Sequence, residues 1–136
     1  MSSAGRLFRR LRQTPDLRQL INGKADGWFT IWHENGRTAV KDIYRNGQGN
    51  GPYASWYDNG QKAMEFATKD GKVNGLWTAW HDNGEKKTEF IFRNGEVDGP
   101  FNVWYKNGQK KEEGNGENGR LAASNKRDEN GNKIPE

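Results

Sequence analysis

The sequence predicts an all-β protein, an elongated antiparallel β-meander of about four 24-residue hairpin repeats with a short N-terminal helical cap. Four tryptophans recur every 24 residues, and an Asn-Gly pair follows each of them; the tryptophans are Trp32, Trp56, Trp80 and Trp104. Two rows of glycines keep the same interval: Gly23, Gly47, Gly71 and Gly95, and then Gly27, Gly51, Gly75 and Gly99. A fixed period of this length is typical of repeat architectures, in which each unit buries its surface against its neighbours.

The Asn-Gly pairs predict the local structure of each unit. Between two alternating segments, Asn-Gly favours a hairpin with a type I′ turn, because both central residues of that turn need a positive φ. With Asn35-Gly36 at the first tip, the strands fall near 28–33 and 38–44, and Trp32 lies opposite Ala39. The other expected pairs are Ile31 with Val40, Phe29 with Asp42, Tyr53 with Phe66, Ser55 with Met64, Trp77 with Phe90 and Ala79 with Thr88. Linking turns at Asn46-Gly47, Asp70-Gly71 and Asn94-Gly95 join successive hairpins.

Alternation along the strands divides the side chains between two faces. One face is apolar and is expected to form the core; it carries Phe29, Ile31, Val40, Tyr53, Met64, Phe66, Trp77, Phe90 and Phe101. The other is the candidate partner-binding face; it carries Trp32, Trp56, Trp80, Trp104, Lys41, Glu65, Glu89, Lys87 and Lys111. The tryptophans have two compatible interpretations, packing of the sheet and aromatic platforms for an extended partner. Repetition favours the packing role, because each unit needs the same packing.

The two ends of the chain differ from the repeat domain, which is assigned to residues 23–114. Residues 1–22 are interpreted as a basic arm with a short capping helix, since Thr14-Pro15-Asp16 has the residue order of a helix start before apolar residues at helical spacing. The helix is predicted over 15–21. Residues 115–136 contain only two large apolar side chains, Leu121 and Ile134. They are interpreted as a degenerate fifth repeat or a disordered tail, mostly disordered.

The positive charge lies in the arm. Residues 1–22 hold five arginines against one aspartate, whereas residues 23–136 hold 17 basic and 17 acidic residues. A nucleic-acid-binding domain would carry its basic surface on the folded body, so this balance argues against nucleic acid. For residues 1–13 the alternatives are a targeting peptide, since they are rich in arginine and free of acidic residues, and an arm that contacts an anionic surface through Arg6, Arg9, Arg10 and Arg12. The chain has no cysteine and no apolar segment typical of a signal peptide, which favours the cytoplasm, with membrane-peripheral attachment as the alternative.

No residue pattern points to catalysis, to a cofactor or to a bound metal. His33 and His81 are the only histidines, and in the internal alignment they stand where Tyr57 and Tyr105 stand. A position that accepts both His and Tyr requires a flat, partly polar ring rather than a metal ligand or a base. The glycines lack the strand–loop–helix context of a phosphate-binding loop. The sequence therefore predicts a non-enzymatic protein with no cofactor.

One unit, residues 71–86, reads GKVNGLWTAWHDNGEK, and its glycines, aromatics, Trp-His/Tyr step and Asn-Gly recur in all four units. This pattern resembles the MORN repeat, in the variant form of bacterial antitoxins of the YwqK type. The resemblance covers residues 22–114. It implies an elongated sheet of successive hairpins, binding to protein or to lipid headgroups and, from the antitoxin branch, neutralisation of a toxin by direct contact.

The favoured functional hypothesis is a repeat scaffold that binds a protein partner, with a toxin as one such partner. Two alternatives are an adaptor that attaches to anionic lipid through the basic arm, and a carbohydrate- or choline-binding module. The second alternative comes from Trp-Tyr-Asx-Asn-Gly strings like residues 56–60, which resemble the aromatic repeats of cell-wall-binding proteins. The sequence does not fix the oligomeric state.

Overall fold

The computed structural model describes residues 11–13, 20–21 and 24–135, which form 15 β-strands and no helix. The strands are β1 (Leu11–Gln13), β2 (Leu20–Ile21), β3 (Lys24–Ala25), β4 (Gly27–His33), β5 (Thr38–Arg45), β6 (Gln48–Gly49), β7 (Gly51–Trp56), β8 (Lys62–Lys69), β9 (Lys72–Val73), β10 (Gly75–Trp80), β11 (Lys86–Arg93), β12 (Glu96–Val97), β13 (Gly99–Trp104), β14 (Lys110–Glu117) and β15 (Arg120–Lys126). The predicted all-β fold is confirmed.

Thirteen strands form one open antiparallel sheet in the order β1-β4-β5-β7-β8-β10-β11-β13-β14-β15. Strands β6, β9 and β12 are two-residue extensions that pair with β5, β8 and β11. Each 24-residue unit therefore supplies one hairpin, and successive hairpins pair edge to edge, as the sequence predicts. Six of the predicted cross-strand pairs are confirmed: Ile31–Val40, Phe29–Asp42, Tyr53–Phe66, Ser55–Met64, Trp77–Phe90 and Ala79–Thr88.

The hairpin tips differ from the prediction. In the first tip the Gly36 amide donates to the His33 carbonyl at 2.9 Å and the His33 amide donates to the Arg37 carbonyl at 2.8 Å. Gly36 has a φ of 88°, but Asn35 is not among the positive-φ residues. The tip is therefore a three-residue loop closed by a left-handed glycine, and not a type I′ turn. The longer loop shifts the register next to the tip, so Trp32 pairs with Thr38 and the predicted Trp32–Ala39 pair is wrong. Ala39 is an extra, unpaired residue on the second strand, and it restores the predicted register from Ile31–Val40 onwards.

The type I′ geometry occurs in the linking turns instead. Both central residues have positive φ in each of them: Asn46-Gly47, Asp70-Gly71, Asn94-Gly95 and Asn118-Gly119. These turns also connect neighbouring units, because the turn glycine donates its N–H to a carbonyl of the preceding unit. Gly71 donates to Gly49 at 2.8 Å, and Gly95 donates to Val73 at 2.8 Å.

Asparagine occurs at the tips because of the hydrogen bonds of its side chain, and not because the backbone there needs a positive φ. Asn83 Oδ1 accepts the Glu85 N–H at 3.0 Å, and Asn83 Nδ2 donates to the Lys106 carbonyl of the next unit at 2.9 Å. Asn35, Asn59 and Asn107 form the corresponding pairs of hydrogen bonds. An amide supplies both the acceptor and the donor that this position requires. Each asparagine thus holds its own loop and the following one.

We expect Asn83→Ala to lower the free energy of unfolding by about 1 kcal/mol, since it removes two hydrogen bonds at an exposed site. Urea unfolding measures this change. The matched control is Asn115→Ala, an exposed asparagine with no side-chain hydrogen bond to the described residues. If Asn83→Ala changes stability no more than Asn115→Ala, the side-chain bonds between tips contribute nothing.

The core is thin because one sheet layer must bury its own side chains. Among the described residues, the buried hydrophobic side chains are Phe101, Ala39 and Ala79, with Thr78 and Thr88 buried beside them. The predicted apolar face supplies the ring contacts. Tyr53 and Phe66 stack with centroids 4.4 Å apart, and Phe90 lies 5.8 Å from Phe101. These ring contacts agree with a composition in which aromatic residues make up 12% of the chain.

The prediction of a helix over 15–21 is wrong at its C-terminal end. Leu20 and Ile21 form strand β2, which pairs with Lys24 and Ala25 of β3 in a separate two-stranded sheet. The rest of that prediction, residues 15–19, lies outside the described residues. The first edge of the main sheet is paired by strand β1, with Arg12 opposite Trp32. A strand can satisfy the N–H and C=O groups of an edge, which a packed helix does not do.

The expectation of a mostly disordered tail is also wrong, because residues 115–126 continue strand β14 and form β15. The next tip is present too, one residue early. The Gly131 N–H donates to the Asp128 carbonyl at 3.0 Å, and the Asp128 carboxylate accepts the backbone N–H groups of Asn130 and Asn132 at 2.9 Å. Backbone bonds acting on this carboxylate lower the pKa of Asp128. Hydrogen bonding, rather than burial of large apolar side chains, orders the fifth unit.

Candidate partner-binding face

The face that carries Trp32, Trp56, Trp80 and Trp104 is called the tryptophan face below, and its tryptophans are all partly buried. The structure places Lys41, Glu65 and Glu89 on this face, because they pair in register with Thr30, Ala54 and Thr78. Those partners lie two residues before a tryptophan on the same strand and therefore project from the same side. This part of the predicted site is brought together by the fold.

Three lysines outside the predicted site also lie on the tryptophan face. Because of the three-residue tip of each hairpin, the tryptophans have lysine partners: the pairs are Trp56–Lys62, Trp80–Lys86 and Trp104–Lys110. Lys62 Nζ lies 5.9 Å from the centroid of the Trp80 ring, in the next unit. Lys86 Nζ lies 5.8 Å from the centroid of the Trp104 ring. Each tryptophan after the second thus has a lysine of the preceding unit over its ring, at a distance suited to cation–π attraction.

The same lysines form ion pairs along their own strands. Lys62 lies 2.7 Å from Glu65, Lys86 lies 2.6 Å from Glu89, and Lys110 lies 3.1 Å from Glu113. Lys110 lowers the pKa of Glu113 through this contact. Exposed pairs of this kind contribute little stability. Their effect is to fix the position of the lysines, so that a Trp–Lys–Glu arrangement recurs along the face.

Lys87 and Lys111 do not join the tryptophan row. Lys87 occupies the extra position of its hairpin and is exposed. Lys111 lies over Tyr105, with Nζ 5.5 Å from the ring centroid. The one-residue shift explains both placements, because it puts Lys86 and Lys110 opposite the tryptophans instead. The sequence does carry a signal for the lysines that face the tryptophans, since a lysine lies three residues after the tip asparagine in units two to four.

The His/Tyr row has a structural role. His33 Nε2 lies 2.7 Å from the Trp56 carbonyl, and the Tyr57 hydroxyl donates to the Trp80 carbonyl at 2.6 Å. His81 and Tyr105 repeat the contact with Trp104 and Arg127. A carbonyl can only accept, so His33 and His81 carry their hydrogen on Nε2. Both ring types place one donor at the same point, which explains their exchange between units.

On the opposite face, Asp42 is a carboxylate within the aromatic rows. It lies opposite Phe29, at the position held by Phe66 and Phe90 in later units, and accepts the Ile43 N–H at 2.9 Å. Burial raises the pKa of Asp42. Burial, with Asp42 as its neighbour, raises the pKa of Tyr44 as well. The first unit thus carries a carboxylate where the second and third units carry a ring.

We expect Asp42→Phe to raise the free energy of unfolding by about 1 kcal/mol at neutral pH, because an aromatic ring replaces a partly buried carboxylate. A raised folded-state pKa means that the wild type is favoured below the unfolded-state pKa and loses that contribution as pH rises through the folded-state pKa. The advantage of Asp42→Phe should therefore shrink in acid. Urea unfolding at neutral and acid pH measures both effects, and an advantage that grows in acid would contradict this assignment.

Among residues 11–13, 20–21 and 24–135, no three His, Asp or Glu side chains come together as a metal site, and no helix is long and apolar enough to cross a membrane. The arm residues Arg6, Arg9 and Arg10 lie outside the described residues, while Arg12 belongs to β1. The anionic-surface role of the arm therefore stays a prediction.

No family model matches the chain, and a search of curated proteins gives no significant match. Among solved structures, the chain is similar to the crystal structure of TarM, with 11% sequence identity and a TM-score of 0.43. The similarity covers 88% of this chain and 22% of the TarM chain. A structural match of this extent carries no argument about function.

Proposed function

We propose that the chain is a non-enzymatic, MORN-like repeat scaffold that binds a protein partner across its tryptophan face. One observation carries the proposal: the Trp–Lys–Glu arrangement recurs with fixed contacts in successive units of an open sheet. Equivalent strands of neighbouring units lie about 10 Å apart, so a partner of ordinary size would contact several units at once.

The composition of this face resembles that of protein interfaces. Aromatic anchors surrounded by paired charges are typical of binding surfaces, and tryptophan is enriched among the residues that contribute most binding energy. The ion pairs Lys62–Glu65 and Lys86–Glu89 are formed in the chain by itself. Side chains that are already paired lose less conformational entropy when a partner binds. The resemblance to YwqK-type antitoxins extends the proposal to a cytoplasmic toxin as the partner.

The choline-binding alternative is weakened by the positions of the lysines. An aromatic cage binds a quaternary ammonium group by placing the cation over the ring face. At Trp80 and Trp104 that place is taken by Lys62 and Lys86 of the same chain. A ligand cation would have to displace a lysine ammonium group of equal charge.

The proposal is tested by affinity capture from native cell extract, with mass spectrometry of the retained proteins at low and high salt. We expect one stoichiometric protein to be retained by the wild type and lost from a Lys62→Ala, Lys86→Ala variant, because both substitutions alter the tryptophan face. The control is Lys87→Ala, an exposed lysine of the same strand outside the tryptophan row. Equal capture by all three chains, or salt-labile capture of lipid alone, would contradict the proposal.

A further inference from the structure

The first and second units enclose a hollow on the tryptophan face that differs from the corresponding places further along. Its volume is about 490 Å³, and it is lined by Gly36, Arg37, Thr38, Lys41, Trp56 and Gly60. Three of these residues differ from their equivalents in the later units. Thr38 stands where those units have lysine, Lys41 where they have glutamate, and Arg37 where they have glutamine or glutamate.

The first departure leaves the Trp56 ring uncovered. Lys62 and Lys86 each reach over the tryptophan of the next unit, but the threonine at position 38 has no ammonium group to place over Trp56. Within the described residues, no cation lies over the Trp56 ring. A flat, partly buried apolar surface is therefore open to a ligand at this one junction between units.

The second departure reverses the charge. Arg37 and Lys41 bring two cations to the hollow, and neither forms an ion pair within the part of the chain that the structure describes. On the same face, Glu65 is paired with Lys62 at 2.7 Å. At the next junction, Gln61 and Glu65 stand at the positions of Arg37 and Lys41.

These features define a ligand class. Arginine and lysine favour carboxylate, the arginine fork binding both oxygens, while the open Trp56 ring favours an adjacent apolar group. The Arg37 guanidinium is positioned against the second tip, since a Cβ on Gly60 would lie 2.7 Å from its Nη1. We propose that this hollow binds an acidic segment of the protein partner, an Asp or Glu side chain beside an apolar residue. The proposal rests on the proposed function and names the chemistry of its partner.

The charges of the remaining face favour a peptide over a membrane. Glu65 and Glu89 lie on the same face, and their carboxylates would oppose a uniformly anionic surface. A peptide segment can place its acidic residue in the hollow and present other groups further along. The positive charge of the tryptophan face is therefore concentrated in the hollow and does not extend over the whole face.

The test is an NMR titration of the full chain with a short, blocked peptide of alternating glutamate and alanine. We expect shift changes centred on Thr38, Lys41 and the Trp56 indole, and none with a lysine–alanine peptide. The double variant Thr38→Lys, Lys41→Glu gives positions 38 and 41 the residues of the second unit, so it should fold normally, as a melting curve would verify. Its affinity for the acidic peptide should fall at least about tenfold.

The control variant Lys87→Gln changes the net charge by the same amount as the double variant, and its affinity should stay within about twofold of the wild type. Peptide binding that survives the double variant, or shifts elsewhere, would overturn the inference. So would binding to phosphatidylserine vesicles that depends on Thr38 and Lys41 without peptide binding.

The capture experiment separates this inference from the proposed function. If the captured partner is lost with Lys62→Ala, Lys86→Ala but kept by the double variant, only this inference fails. If the peptide binds as expected and no partner is captured, the proposed function fails.

Discussion

Replacing Phe101 with alanine is expected to lower the free energy of unfolding by about 3 kcal/mol, the largest effect of any truncation on the aromatic face. Phe101 is only 2% exposed and packs against Phe90 of the preceding unit, with ring centroids 5.8 Å apart. Its removal opens a cavity that joins two units, and a thin sheet has few other side chains to fill it. Chemical unfolding followed by tryptophan fluorescence measures the change.

The matched control is Leu76→Ala. Leu76 is another large apolar side chain of the repeat domain, but it is 56% exposed, so the change should stay within about 0.5 kcal/mol. A similar loss at both positions would mean that burial within this sheet does not determine its stability.

Introducing a side chain at Gly114 is expected to be almost as damaging. A Cβ at this position would collide with the Ala122 carbonyl and lie 2.8 Å from the Ala123 Cα, and both are backbone atoms of β15. Backbone atoms cannot move aside without breaking the β14–β15 hydrogen bonds, so Gly114→Ala should cost about 3 kcal/mol or detach β15. Amide hydrogen exchange would show faster exchange in residues 120–126 than in β10 and β11.

Gly49→Ala is the control for this steric effect. The atom closest to a Cβ at Gly49 is Thr68 Oγ1 at 3.0 Å, which belongs to a side chain that can rotate. We expect a loss below about 1 kcal/mol and unchanged exchange in β15. Normal protection of β15 in Gly114→Ala would contradict the close approach of these strands. The collision also explains why the position that is phenylalanine in the second and third units is glycine here.

The repeat period predicted most of the fold, because cross-strand partners follow once the tip of each hairpin is known. Tyr53–Phe66 and Trp77–Phe90 were predictable for this reason. The turn type was not, since Asn-Gly suits two geometries that differ by one residue in the second strand. That one residue moves Ala39 out of register with Trp32 and places Thr38 there.

The candidate site was predicted only in part for the same reason. The tryptophans, Lys41, Glu65 and Glu89 share a face in either register, because they lie away from the extra residue. The lysines lie beside it, so the prediction chose Lys87 and Lys111 in place of Lys86 and Lys110. Side-chain contacts between units, such as the hydrogen bond from Asn83 to the Lys106 carbonyl, depend on how far apart neighbouring hairpins lie. The sequence of one repeat does not contain that distance.

The hydrogen bonds between units give the array a direction. The tip side chains that recur in successive units, such as Asn59 and Tyr57, donate towards the C-terminus, whereas the linking-turn glycines, such as Gly71, donate towards the N-terminus. The donors and acceptors of one unit therefore match those of the next in a single orientation. An internal duplication of 24 residues would reproduce every contact of this kind, while an inverted unit would reproduce none. The array can consequently change its length in evolution by whole units, so the reach of its binding face can be altered without redesign of the fold.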